Sequence, residues 1–157
     1  MRKPEFHLDW DTTKLARSMH IEPIEAIVHF SDGRNISNLL ELGVKNLLGG
    51  ELAPSKHDVY DVMDPEGRKW EVRSMTRASG LSFRPSNQTG GSRVFNEELF
   101  LAKLHMIDGF IICDLAQFPH VDIYRISCAE VLAWYRAGKL RQGAERNYDA
   151  ALALVTS

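Results

Sequence analysis

The sequence predicts an α/β (α+β) fold in which a mixed β-sheet is flanked by helices, with a helical N-terminal region. Three observations lead to this prediction. Residues 36–48 carry apolar side chains at helical spacing, whereas residues 110–115 form a short continuous apolar run that is typical of a buried strand. A turn signal at 64–67 joins two further short apolar runs, which predicts an antiparallel hairpin.

Length and composition are those of one globular domain. The chain has 157 residues, 44% hydrophobic and 25% charged, with a formal net charge of −2. This charge argues against a nonspecific DNA-coating protein but leaves room for a local basic cleft. No stretch is long and apolar enough for a membrane span, and the N-terminus lacks a signal-peptide core, so we expect a cytoplasmic protein. Cys113 and Cys128 do not form a CxxC motif and are expected to be reduced core thiols.

The first third of the chain carries helix signals. Asp11 or Thr12 can cap a first helix, and Pro23 suits the first turn of a second helix that ends near residues 32–33. A third helix over 36–48 is ended by Gly49 and Gly50.

The hairpin around residues 65–67 places acidic and basic residues on one side of the sheet. A three-residue loop of Pro, Glu and Gly would set Asp61 opposite Glu71, with their side chains about 5 Å apart. Side chains alternate along a strand, so Lys69 and Arg73 share the face of Glu71.

The second half of the chain alternates between helices and strands. We predict a helix over 95–106, strands over 110–115 and 121–126, and a helix over 128–136 capped by Ser127. For residues 139–157 the two alternatives are a last helix over 148–155 and an extended tail. The core-facing side of the 95–106 helix is predicted to carry Phe95, Leu99, Ala102 and Met106.

The facing carboxylates of Asp61 and Glu71 suggest a metal site. Two carboxylates held this close repel each other, and a hard divalent cation such as Mg²⁺ would relieve that repulsion. The six histidines of the chain show no zinc-ligand spacing, so no zinc site is expected. An ordinary acidic hairpin in an unrelated α+β protein would carry the same two residues.

The motif around Glu71 resembles that of a known superfamily. Glu71 follows Asp61 by ten positions and is followed by an apolar residue, Arg73 and Ser74. This order resembles the PD-(D/E)XK nucleases, and in particular the small type II restriction endonucleases. The resemblance implies a restriction-endonuclease-like fold, a metal bound by Asp61 and Glu71, and Mg²⁺ as cofactor with Mn²⁺ as a substitute. It also implies that Asp58 is a further metal-binding acid.

One position departs from the pattern. The superfamily has a lysine where this chain has Arg73. Arginine keeps the positive charge but is never deprotonated in proteins, so Arg73 could stabilise phosphate charge without acting as a base. Lys69, on the same strand face, is a candidate for a displaced lysine.

Residues 77–93 form a polar segment rich in glycine and serine. Arg84, Ser86, Asn87, Gln88 and Arg93 are of the types that contact phosphates and base edges, so we predict that they bind DNA. A solvated loop would have the same composition.

Together these features predict one domain over 1–157. The resemblance implies that residues 1–50, which are predicted to be helical, make a homodimer contact; the alternative is that the apolar stripe of the 36–48 helix packs on the sheet. Residues 51–137 would be the catalytic core and 138–157 a C-terminal segment. The predicted function is sequence-specific, metal-dependent cleavage of double-stranded DNA. The alternatives are a catalytically impaired DNA-binding or regulatory protein on the same fold, and a structure-specific nuclease such as a junction resolvase.

Overall fold

The computed structural model of the chain describes residues 1–85, 94–141 and 143–157. The helices are α1 (Thr12–Met19), α2 (Pro23–Phe30), α3 (Gly33–Leu48), α4 (Glu97–Leu104), α5 (Cys128–Arg136) and α6 (Tyr148–Val155). The strands are β1 (Phe6–Asp9), β2 (Glu51–Leu52), β3 (Val62–Met63), β4 (Lys69–Met75), β5 (Leu81–Ser82), β6 (Gly109–Asp114), β7 (His120–Ser127) and β8 (Glu145–Arg146).

Six of these strands form a mixed sheet in the order β1-β7-β6-β4-β3-β2. Strands β4 and β6 run parallel, with Glu71 beside Phe110, and their connection passes through α4. The remaining neighbours in this sheet are antiparallel. The predicted α/β class, with a mixed sheet between helices, is therefore confirmed.

Each face of the sheet is covered by a different group of helices. On one face, α1, α2 and α3 pack with Trp70, Ile111 and Ile123 in one core cluster. On the other face, α4, α5 and α6 pack in a second cluster with Phe110 and Ile112. Glu71 and Arg73 alternate with Trp70 and Val72 along β4, so their side chains belong to the second face.

The N-terminal helices form where their sequence signals predict. Asp11 caps α1 by accepting a hydrogen bond from the Lys14 amide at 3.0 Å, and Pro23 begins α2. Helix α3 begins at Gly33, three residues before the predicted start, because Asp32 caps it. Glycine is required at position 33, since a Cβ there would lie 2.1 Å from Ser74 Oγ.

The hairpin has the register that its turn predicts. Val62 pairs with Trp70, Met63 pairs with Lys69, and the Asp64 amide donates to the Arg68 carbonyl at 2.9 Å. The pairing shifts at Asp61, whose amide donates to the Trp70 carbonyl at 2.9 Å. Strand β3 ends there, so β4 continues without a paired strand on this side.

The N-terminal region contains a strand that the sequence did not predict. Strand β1 precedes the helices and pairs with β7, with Phe6 opposite Ile123. Four residues at a sheet edge carry a weak periodic signal, and this strand forms because β7 offers a partner more than 100 positions later.

The predicted buried face of the helix over 95–106 is wrong. Leu99 and Met106 are 50% and 54% exposed, whereas Phe100, Lys103 and Leu104 are the buried residues of α4. This orientation buries Phe100 and Leu104 in the core and also brings the Lys103 ammonium into an ion pair with Glu71.

The C-terminal elements follow the predictions closely. Ser127 and Glu130 form a capping box at the start of α5, and α6 covers the predicted residues 148–155. Cys113 and Cys128 are buried and free, as predicted for core thiols. In the described ranges, no helix has the length and apolar character needed to cross a membrane.

The Asp64 carboxylate anchors the hairpin, and we expect its loss to weaken the fold in a pH-dependent way. It is 4% exposed and accepts hydrogen bonds from Trp70 Nε1 at 2.9 Å and Arg68 Nε at 2.8 Å. Burial opposes its ionisation, but these bonds outweigh burial and hold its pKa below 3.8. Asp64→Asn should cost about 2 kcal/mol in urea unfolding at pH 7. Because the folded pKa is lowered, this difference is present above pH 3.8 and shrinks as pH falls through the folded pKa.

The control is Glu66→Gln in the same hairpin. Glu66 is exposed, and its Oε2 lies 3.4 Å from Arg68 Nη2, a long contact. This change should therefore lower the free energy of unfolding by less than about 1 kcal/mol. Equal costs for the two variants, or no pH dependence for Asp64→Asn, would contradict this account.

Candidate functional site

The candidate site lies where β3 ends beside β4. The Asp61 carboxylate occupies the open edge of β4, where its Oδ2 accepts a hydrogen bond from the Val72 amide at 2.8 Å. This side chain replaces the missing strand partner and leaves Asp61 Oδ1 outside that bond. Asp61 is thereby held next to Glu71, although their backbones are not in ideal register.

Glu71 is the buried acid of the site. It is 4% exposed and lies between two cations. Its Oε1 accepts a hydrogen bond from Arg73 Nη2, and its Oε2 lies 2.5 Å from Lys103 Nζ. The Lys103 contact lacks hydrogen-bond angles, so Glu71 Oε2 is a buried oxygen without a hydrogen-bond partner among the described residues.

The electrostatics of the site couple its two acids. Burial raises the pKa of Asp61; the Val72 amide opposes this shift, and the negative charge of Glu71 adds to it. The positive charges of Arg73 and Lys103 act on Asp61 in the opposite direction. Two carboxylates and two cations therefore share one partly buried cluster whose formal charges cancel.

A third carboxylate approaches from α3. Burial raises the pKa of Glu41, and the charge of Asp61 raises it further, against the opposing effect of Lys56. Sequence reasoning missed Glu41, which follows the buried stripe residue Leu40 by one position. Only the packing of α3 against β4 brings it towards Asp61.

Lys103 was likewise absent from the predicted site. A lysine within a predicted helix usually points into solvent, so no feature of the sequence singled out Lys103. The structure makes it one of the few buried charged residues of the described chain, at 9% exposure. It brings a lysine to Glu71 from α4, a different element from the strand that carries Arg73.

The donor set suits a hard divalent cation. Asp61, which directly precedes β3, and Glu71 on β4 both offer carboxylate oxygens, and Glu41 lies near Asp61. Lys103 Nζ lies 2.5 Å from Glu71 Oε2 and would have to move for an ion to bind that oxygen. Within the described residues these acids do not form a ready cluster of three closely spaced ligands. Mg²⁺ commonly keeps several waters and uses one or two carboxylates, so Asp61 and Glu71 are sufficient protein ligands.

Two predicted site residues have other partners. Lys69 Nζ lies 5.2 Å from the centre of the Tyr60 ring. Asp58 is exposed, and its Oδ2 accepts a hydrogen bond from the Ser55 amide at 2.8 Å. The structure therefore does not bring Lys69 and Asp58 into contact with the Glu71 carboxylate in the way that it brings Arg73 and Lys103.

The predicted DNA-binding segment is described only in part. The Arg84 carbonyl accepts a hydrogen bond from Arg73 Nη2 at 2.5 Å. The guanidinium Nε of Arg84 donates to the Gly143 carbonyl at 3.0 Å. The Arg84 backbone thus helps to hold the guanidinium of Arg73 in position. Ser86, Asn87, Gln88 and Arg93 lie outside the described residues.

A cleft of about 750 Å³ adjoins the site. It lies between the start of α3 and the open edge of β4, and Val72 and Arg73 form part of its wall. Arg34 lines it from the α3 side. Its other polar side chains are mainly hydroxyls, namely Ser37, Ser74, Thr76, Ser79 and Ser82.

The chain matches no protein-family model, and no curated protein is significantly similar to it. The geometry of the site is therefore the basis for assigning a function.

The ion pair between Lys103 and Glu71 should be coupled to folding. We expect Lys103→Met to destabilise the protein by about 2–3 kcal/mol, because it leaves a buried carboxylate with Arg73 as its remaining cation. Lys14→Met on the exposed surface of α1 is the control and should change stability by less than about 0.5 kcal/mol. Urea unfolding measures both variants. In a double-mutant cycle with Glu71→Gln, an interaction energy near zero would show that the contact is not formed.

Proposed function

We propose that this chain is a metal-dependent endodeoxyribonuclease that hydrolyses phosphodiester bonds at specific sequences in double-stranded DNA. The observation that supports this most is the grouping of Asp61 and Glu71 with Arg73 and Lys103 beside an open, hydroxyl-lined cleft. Phosphodiester hydrolysis needs acids that bind a hard metal ion and cations that stabilise the negative charge of the phosphate, and this group of residues contains two of each.

Asp61 and Glu71 would hold Mg²⁺, or Mn²⁺ in its place. When bound, the ion supplies Lewis-acid polarisation of a phosphoryl oxygen and lowers the pKa of a bound water. The protein contributes fixed positions for both acids: the Val72 amide holds Asp61, and burial in the sheet face holds Glu71.

The two cations would have different roles. Arg73 lines the cleft with a side chain that is 19% exposed, which puts a guanidinium beside the space that a phosphate would occupy. Lys103 Nζ lies 2.5 Å from Glu71 Oε2, and an ammonium presents three donors that can rotate, whereas the guanidinium of Arg73 is a planar fork. Lys103 is therefore the better candidate to orient the attacking water, and Arg73 the better one to stabilise charge on the phosphate.

The cleft beside Arg73 suits a nucleic-acid backbone. Hydroxyls and arginines are the side chains that most often contact phosphate and sugar. Arg34 has a side chain that is 92% exposed, although it pairs with Asp32 at 3.0 Å. The overall charge of −2 means that binding depends on this local surface rather than on a basic protein as a whole.

A homodimer would provide the second active site needed to cut both strands. One domain of this size carries one such site, and two-fold symmetry would match a palindromic target. On α2, Ile24 and Val28 are 64% and 67% exposed, which gives the N-terminal region an apolar surface for this contact.

A second candidate function is DNA binding without cleavage. It is favoured by the pairing of Glu71 with both Arg73 and Lys103, because two cations already neutralise the acid that the metal would use. Such a protein would bind DNA through the same cleft and leave it intact.

Cleavage of mixed-sequence plasmid DNA tests the proposal. We expect Mg²⁺- and Mn²⁺-dependent cutting into discrete fragments, and a loss on the order of 100-fold or more in Asp61→Asn and in Lys103→Met. Asp149→Asn, an exposed acid on α6, should cut like the wild type. Circular dichroism checks that each variant is folded.

The outcomes separate the candidates. Full activity in Asp61→Asn would rule out this site as the metal centre. Retention of plasmid DNA in a gel shift without cutting, restored to cutting by Arg73→Lys, would favour the DNA-binding protein. Cutting of a four-way junction but not of linear duplex would instead indicate a structure-specific nuclease.

The cleft can be tested through the salt dependence of binding. If Arg34 contacts a phosphate, Arg34→Gln should weaken binding to all sequences and lower the slope of log K against log salt by about one. Arg136→Gln, exposed in the last turn of α5, is the matched control and should leave the slope unchanged. Fluorescence anisotropy with labelled duplex measures both. Identical slopes for the two variants would place the DNA elsewhere.

A further inference from the structure

A second group of potential metal ligands lies at the other end of the sheet, on β1 and β7. These strands pair so that His7 is opposite Asp122 and Asp9 is opposite His120. His7 and Asp9 are two residues apart on one strand, as are His120 and Asp122 on the other. All four side chains therefore project from the same face of the sheet.

The ligand atoms of three of these residues already lie close together. His120 Nε2 is 2.9 Å from Asp122 Oδ1, and His7 Nδ1 is 3.4 Å from the same oxygen. One donor atom from each of His7, His120 and Asp122 lies within 4.8 Å of the others. Ligands about 2.0–2.2 Å from a tetrahedral ion are roughly 3.3–3.5 Å apart, so small side-chain rotations would enclose one.

From this geometry we propose that His7, His120 and Asp122 form a zinc-binding site. Two imidazole nitrogens and one carboxylate oxygen select a borderline transition ion rather than Mg²⁺ or Ca²⁺, which prefer oxygen ligands. Asp9, whose Oδ1 lies 2.6 Å from His120 Nδ1, acts behind the site by fixing the orientation of that ring.

This site is separate from the proposed nuclease centre. Strands β7 and β6 lie between β1 and β4, which separates the two sites by about 14 Å across the strands. Asp122 is also in register with Met75, four positions beyond Glu71, which adds about 13 Å along the strands. The nuclease centre has carboxylates without histidine, whereas this one has two histidines. The two sites would therefore bind different classes of ion.

A zinc ion here would tie the N-terminal edge strand to the sheet. Strand β1 has four residues and pairs on one side with β7. An ion bridging His7 to His120 and Asp122 would cross-link the two strands through their side chains. The ligand side chains are 31–59% exposed, so the ion can enter from solvent and a water can complete its coordination.

The absence of zinc-ligand spacing in the sequence does not argue against this site. His7 and Asp122 are 115 positions apart and meet only through strand pairing. Without an ion, the His120 ring bridges the Asp9 and Asp122 carboxylates, and this arrangement keeps the residues together.

The test is titration of EDTA-treated protein with Zn²⁺ alone, by calorimetry and by thermal unfolding. It uses Asp61→Asn as the parent protein, so that the proposed nuclease centre does not contribute and the result is independent of that assignment. We expect one Zn²⁺ per chain and a rise in melting temperature. His7→Gln and His120→Gln should each weaken binding about tenfold or more.

His29→Gln, an exposed histidine on α2, is the matched control and should bind Zn²⁺ like the parent protein. His7 is 59% exposed, so His7→Gln keeps the test valid even if His120→Gln impairs folding. Co²⁺ should give the visible absorption of a tetrahedral site. Equal affinity in His7→Gln and the parent, or no saturable binding, would overturn the proposal.

Discussion

The burial of Glu71 between Arg73 and Lys103 is the interaction on which the site and much of its surroundings depend. A carboxylate 4% exposed in a sheet face is costly unless cations accompany it. Arg73 comes from the same strand, but Lys103 comes from α4, so the ion pair joins that helix to the sheet. On the same side of α4, Phe100 fills the core, whereas Leu99 faces solvent at 50% exposure. The buried charge pair and the apolar core therefore favour the same rotation of α4.

The open edge of β4 is the second constraint on the site. Strand β3 pairs with only the start of β4, and the Asp61 side chain satisfies the Val72 amide where that pairing stops. A longer β3 would cover the cleft, whereas no β3 at all would leave Asp61 unplaced. The site thus arises from an interruption of regular sheet pairing, which is where side chains can replace backbone hydrogen bonds and still face a ligand.

The two proposed metal sites illustrate how a sheet can separate different chemistries. At β4, buried carboxylates are accompanied by cations, and the donors are hard oxygens. At the β1–β7 edge, imidazoles and carboxylates are half exposed, and their mutual hydrogen bonds hold them in position. Burial favours a neutralised cluster that excludes water, and exposure favours ligands that can exchange a proton for an ion. The two clusters therefore differ in burial and in donor type although they lie on one sheet.

Local sequence patterns predicted the features that depend on neighbouring residues. The turn at 64–67 set the hairpin register, Asp11 and Ser127 set helix starts, and the α6 boundaries followed from local pattern. These features depend on backbone conformation and hydrogen bonds within a few positions. Which acids and bases meet depends on the tertiary structure. Glu41 and Lys103 reach the hairpin through helix packing. The residues of the β1–β7 cluster come together through strand pairing. Such contacts are stabilised by apolar burial and charge pairing over the whole fold, and these do not show in any local sequence pattern.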